Sequence, residues 1–124
     1  MAIQLTAEQR DALFARILLD FSAFDDLQLA IGKGDLEEAY TLGRKVADGF
    51  RLIVDGGLGW ARKTAEPVTL TLPPAELVPL MTRMKWEAEA HYESMRPDRE
   101  ETQREWAEIS DARDACAAVL DQID

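Results

Sequence analysis

The chain has one cysteine, Cys116, and one histidine, His91, among its 124 residues. A single thiol excludes an internal disulfide framework and any zinc site built from several cysteines. One histidine cannot supply the two Glu-x-x-His motifs of a di-iron bundle. Long apolar runs are missing as well. The longest, "ACAAVL" at 115–120, falls far short of the roughly 20 residues that cross a bilayer. Positive charge is scarce: 14 Lys and Arg stand against 24 Asp and Glu, a formal net charge of −10. Such a field repels phosphate backbones and anionic lipid headgroups, so neither nucleic acid nor a membrane is expected as a direct partner. No basic segment leads into an apolar stretch near Met1 and no signal peptide is expected, which makes a cytoplasmic location the default.

What remains is globular. Hydrophobic residues make up 47% of the chain and charged residues 31%, a composition that builds a core. The spacing predicts an all-α protein, 1–124 as a single helical domain, with four helices arranged as two helical hairpins. The first helix follows Thr6, an N-cap with Gln9 at the capping-box position, and carries Phe14, Ile17, Phe21, Phe24 and Ile31 on one face. Gly32 and Gly34 end it. Asp35 caps the second helix, whose stripe reads Ala39, Gly43, Val46, Phe50 and Ile53 until "DGG" at 55–57 stops it. Gly43 and Gly49 inside that helix each cost about 1 kcal/mol relative to alanine, which implies that a neighbour comes close to them.

Between the second and third helices the pattern changes. "VTLTL" at 68–72 alternates as a short strand does, and "AIQL" at 2–5 is its only match, so the two are expected to pair, within the chain or across a dimer. The third helix, from near Ala75, carries Leu77, Leu80, Met81, Met84, Ala88, His91 and Met95. Pro79 is expected early enough in it to sacrifice no hydrogen bond. "RPD" at 96–98 interrupts, and the fourth helix then carries Trp106, Ile109, Ala112, Cys116, Leu120 and Ile123.

Candidate chemistry is thin. His91 lies within about 20° of Met84 on the apolar face, and Glu87, one turn earlier, is about 40° away. Glu89 and Glu93 project to the back of the helix, so the acidic surroundings of the histidine reduce to one Glu87–His91 pair. A histidine ending an apolar stripe is expected to be a core or interface residue bonded to a carboxylate or carbonyl, not a metal ligand. Cys116 sits beside small residues on an apolar face and is expected to serve as a small hydrophobe, out of reach of His91. On the fourth helix Glu105, Glu108, Asp111 and Asp114 step by three, drifting about 60° each time, so at most two neighbours can share an ion. Arg113 intrudes on that helix's stripe and is expected to meet a carboxylate of the first hairpin, Asp20 or Asp25.

Apolar excess points to contact instead. Trp86 projects to the outer side of the third helix, Trp60 sits in a glycine-rich loop, and Leu18, Leu19 and Leu29 widen the first helix's apolar face. Either the loop at 58–72 covers these groups or they form a contact surface; internal packing is the expectation for the leucines. The sequence therefore predicts a small acidic protein without catalytic residues, metal or cofactor. It would act by protein–protein interaction, as an adaptor, an inhibitor or immunity-type partner or a regulatory subunit, and the wide first-helix face admits a homodimer. Two other readings stay open. One is an all-α metal-dependent hydrolase using Glu37, Glu38, Glu105 and Glu108 with His91; the other is an acidic surface that imitates nucleic acid.

Overall fold

The computed structural model describes residues 3–59, 66–95 and 100–123. Its elements, in chain order, are β1 (Ile3–Leu5), α1 (Ala7–Phe21), α2 (Ala23–Lys33), α3 (Leu36–Val54), β2 (Val68–Leu70), α4 (Pro74–Ser94) and α5 (Glu100–Ile123). This is an all-α, bundle-like fold with one small antiparallel sheet. Trp60 and the "RPD" interruption lie outside the described residues.

The capping box forms. Thr6 Oγ1 accepts from the Gln9 amide at 3.1 Å, and Gln9 Oε1 accepts from the Thr6 amide at 2.9 Å. The helix it starts does not run to Gly32, however. At Ser22 the side-chain hydroxyl donates to the Leu19 carbonyl at 2.6 Å, and the Ser22 amide reaches the same carbonyl at 3.1 Å. A serine that bonds back within its own turn competes with the regular ladder and tightens it. One expected helix therefore becomes α1 and α2. Gly34, at φ 77°, ends α2 in the left-handed conformation, and Asp35 Oδ1 caps α3 by accepting from the Glu38 amide at 3.2 Å.

α1 lies between α3 and α5, α4 packs along α5, and α2 packs on α3. The core joins Leu13 and Ile17 of α1 to Leu52 and Ile53 of α3, Leu77, Met81 and Met84 of α4, and Cys116 and Val119 of α5. The expected strand pairing is present within the chain: Ile3 lies opposite Leu70, Gln4 opposite Thr69 and Leu5 opposite Val68. On the other edge of β1, Gln122 of α5 donates to the Gln4 carbonyl at 2.7 Å and accepts from its amide at 2.9 Å. That side chain occupies the backbone groups a third strand would need.

Two corrections concern α4 and α1. Because α4 begins at Pro74, Pro79 sits beyond the four amides that lack partners anyway, so its missing N–H takes a donor from the Ala75 carbonyl. Arg10, which no sequence pattern singled out, is buried to 1% exposure: its Nε donates to the Leu58 carbonyl at 3.1 Å, and its Nη2 to the Gly59 carbonyl at 3.0 Å. It ties the chain leaving α3 to the start of α1.

The two glycines of α3 differ. A Cβ on Gly49 would stand 2.7 Å from Ile17 Cγ2 and 2.9 Å from Phe21 Cε1, so α1 does approach it closely, whereas a Cβ on Gly43 would make only ordinary contact with Leu27 at 3.9 Å. Gly49→Ala is expected to destabilise the protein by about 1–3 kcal/mol through overpacking. Gly32→Ala, whose new methyl meets nothing within 4 Å, should stabilise it by up to about 1 kcal/mol. Denaturant melts of the two variants check the contrast.

Candidate functional site

A seam of charge runs between α3 and α4. Arg83 of α4 holds Asp48 of α3 through Nη2 at 3.1 Å and Glu87 through Nη1 at 3.1 Å. Lys45 of α3 reaches Glu87 at 3.4 Å and Asp20 of α1 at 3.9 Å. Asp20 faces Arg16 one turn earlier, Nε to Oδ1, at 3.8 Å. Both ends of that last pair are buried, and burial pushes the Asp20 carboxyl up against the downward pull of Lys45 and Arg16. Among the described residues no group accepts a hydrogen bond from the buried Arg16 Nε.

His91 closes the series. Arg16 Nη1 lies 3.1 Å from His91 Nδ1. A guanidinium only donates, so the imidazole accepts there and carries its proton on Nε2. Burial, then the neighbouring Arg16 charge, pulls the His91 pKa below its usual value, with Glu105 opposing. Glu87 and His91, paired on sequence grounds, thus have different partners: Glu87 holds Arg83 and Lys45, and His91 receives Arg16. The imidazole is a neutral acceptor that satisfies a buried cation.

Arg16 and His91 also line a groove of about 600 Å³ between α1 and α5. Ala12, Ala15, Ile109 and Ala112 line it as well, with Leu18, Leu19, Glu105 and Glu108. A second hollow, about 290 Å³, opens at the N-terminus of α3 between Asp35, Glu37, Glu38 and Thr41. Glu37 and Glu38 therefore line one hollow and Glu105 and Glu108 the other, which His91 also lines. Among the described residues no group of three or more His, Cys, Asp or Glu side chains is placed to hold a metal ion. Cys116 is buried, and desolvation pushes its thiol up to about 12, far from a reactive thiolate at neutral pH. Arg113 does not meet the first hairpin. It donates to Ser110 Oγ at 3.0 Å, pairs with Asp114 and lies over the Tyr92 ring.

The leucines are not packed internally. Leu18 and Leu19 stand exposed at the groove, and Leu29 is 60% exposed on α2. Phe24 and Ile31, expected on the buried face, are exposed too, because the break at Ser22 leaves α2 with α3 as its main support. Trp86 is 68% exposed on the outer side of α4.

A second apolar track runs along α3, beside the one expected from the sequence. Along α3, Leu36, Tyr40, Ala47, Phe50 and Val54 are all exposed. With Gly43 they step by 4, 3, 4, 3 and 4 residues, the a/d spacing of a coiled-coil seam. Of the stripe expected on this helix, Ile53 is buried and Ala39, Gly43 and Val46 are half-buried, while Phe50 stacks on Phe21 at 4.7 Å with nearly half its surface open. The signal was legible as a second heptad track beside the first. Leu27 of α2 touches the Gly43 position, so Phe24 and Ile31 flank the same seam between the two helices. In an antiparallel pair of right-handed helices, both stripes then turn to one side of the hairpin.

The His91 geometry sets a pH dependence. A folded pKa below the unfolded one means that the unfolded chain takes up protons first on acidification, so the stability present above the ordinary histidine range is lost as pH falls through it. Between about pH 7.5 and about 5.5 the melting temperature should fall. His91→Gln, which can still accept from Arg16, should flatten that fall; an unchanged profile would assign the titration elsewhere. No protein-family model, curated protein or solved structure matches the chain, so the functional reading rests on this geometry.

Proposed function

We infer that this acidic helical protein acts by binding another protein, without catalysis, and that the face of the α2–α3 hairpin does the binding. One observation carries the reading. A chain with a net charge of −10 keeps Leu36, Tyr40, Ala47, Phe50 and Val54, with half-buried Gly43 among them, as an uncharged exposed track along one helix. Exposing large apolar side chains in a continuous track is unfavourable unless something covers them, and such patches mark interaction surfaces. The role that fits is an adaptor, an inhibitor or immunity-type partner, or a regulatory subunit. No described helix is long and apolar enough to cross a membrane, and the acidic surface disfavours anionic lipid and nucleic acid as occupants. The division of carboxylates between two hollows gives the hydrolase reading no support.

The test is site-specific photo-crosslinking in the native host, with the reactive group placed at Val54. A defined protein adduct is expected with the otherwise unchanged chain. It should be lost when Tyr40→Glu is added and kept when Trp86→Ala is added on α4, outside the stripe. Both substitutions replace exposed side chains and should shift stability by no more than about 0.5 kcal/mol. Equal adduct yield in all three chains would place the interaction elsewhere.

A further inference from the structure

We propose that the occupant of the α2–α3 face is a second copy of the chain, docked antiparallel about a two-fold axis that passes α3 near residue 45. This rests on the reading of that face as a protein-docking surface and names its partner. The stripe is complementary to its own reversal. Turned end over end, it sets Leu36 against the partner's Val54, Tyr40 against the partner's Phe50, and Gly43 against the partner's Ala47. Large side chains then meet at both ends and small ones at the axis, where two helices can approach most closely.

Gly43 supports this independently. Within one chain nothing requires a glycine there, since an added methyl would meet only Leu27 at an ordinary 3.9 Å. A mid-helix glycine nonetheless weakens the helix. A central layer made of Gly43 and the partner's Ala47 supplies the missing reason.

The flanks agree. On one side of the stripe lie Ala39 and Val46, half-buried; on the other lie Glu37, Arg44 and Arg51, exposed and charged. Antiparallel docking brings Glu37 toward the partner's Arg51, a guanidinium that within its own chain also holds Glu76 at 2.7 Å and Asp55 at 3.4 Å, so no like charges oppose at the ends. It also opposes the two helix dipoles, which a parallel pair would align. Arg44 is the charge brought nearest its own copy. It donates to the Tyr40 hydroxyl at 3.1 Å and feels Asp48 one turn on, so it is partly compensated and holds the Tyr40 hydroxyl at the polar edge. Because α2 sits on the same flank in both copies, Phe24 and Ile31 join the contact, and two hairpins close into a bundle of four helices. The six large side chains are 45–76% exposed in the single chain, apolar surface of the kind that each partner of a stable complex buries, roughly 800 Å² in all.

Sedimentation equilibrium of the full chain from about 1 to about 200 μM is the first test, expected to show a species of twice the 13.9 kDa monomer mass. Tyr40→Glu should weaken self-association at least tenfold with unchanged helical circular dichroism. Direction is read by disulfide trapping. Chains carrying Leu36→Cys mixed with chains carrying Val54→Cys should form mixed disulfide dimers, while Leu36→Cys chains alone should not, because each Leu36 lies far from its copy. A monomer throughout the concentration range, or efficient trapping of Leu36→Cys with itself, would overturn the proposal. So would a monomer that binds neutral phosphatidylcholine vesicles through Tyr40. Failure here leaves the binding-protein reading separately testable: a monomer whose crosslinked adduct still depends on Tyr40 has a different protein partner, and one with no such adduct has none on this face.

Discussion

Where α1 crosses α3, the backbone at Gly49 lies so near Ile17 and Phe21 that one added methyl group would overlap both side chains, and the rest of the molecule is arranged around that contact. It places Phe21 against Phe50 and sets α1 between α3 and α5. Immediately beyond, Ser22 bonds back to Leu19 and the helix turns away. α2 therefore leaves the core and takes its support from α3. The hairpin that results has one side on the bundle and one side facing outward, and the outward side is the apolar face that dominates the functional reading.

The gap between α3 and α4 is bridged differently. Charged side chains span it: Arg83 to Asp48 and Glu87, and Lys45 to Glu87 and Asp20. Half-buried pairs of this kind add little net stability, because desolvation offsets their attraction, but each breaks if the helices slide by a residue. They specify register where apolar packing does not. Arg16 and Asp20 extend the series into the interior, and His91 completes it by accepting from the guanidinium as a neutral ring. The only imidazole of the chain, the obvious candidate for chemistry, is used to satisfy a buried cation.

Much of the local structure was legible because it depends on neighbours in sequence. The capping box at Thr6, the Asp35 cap, the glycine stop at Gly34 and the pairing of the two alternating segments follow from residues a few positions apart or from a single shared pattern. The position of Trp86 opposite the core stripe of α4 and the burial of Cys116 follow from helical phase in the same way. The exposed leucines were misread for the converse reason. A hydrophobic side chain at helical spacing shows which way it points, not how closely anything stands opposite: Leu18 and Leu19 face an open groove beside α5, and Leu29, Phe24 and Ile31 remain exposed on α2.

Sequence alone determined that this chain is acidic, helical and joined into hairpins at its glycine stops, since composition and periodicity are properties of the chain itself. Tertiary structure alone decided which of two adjacent tracks on α3 is buried, which partners Glu87 and His91 take, and that Gly49 is constrained while Gly43 is not. Those outcomes depend on how far apart segments distant in the chain come to rest. That distance is set by the summed packing of all the helices, which no single stretch encodes.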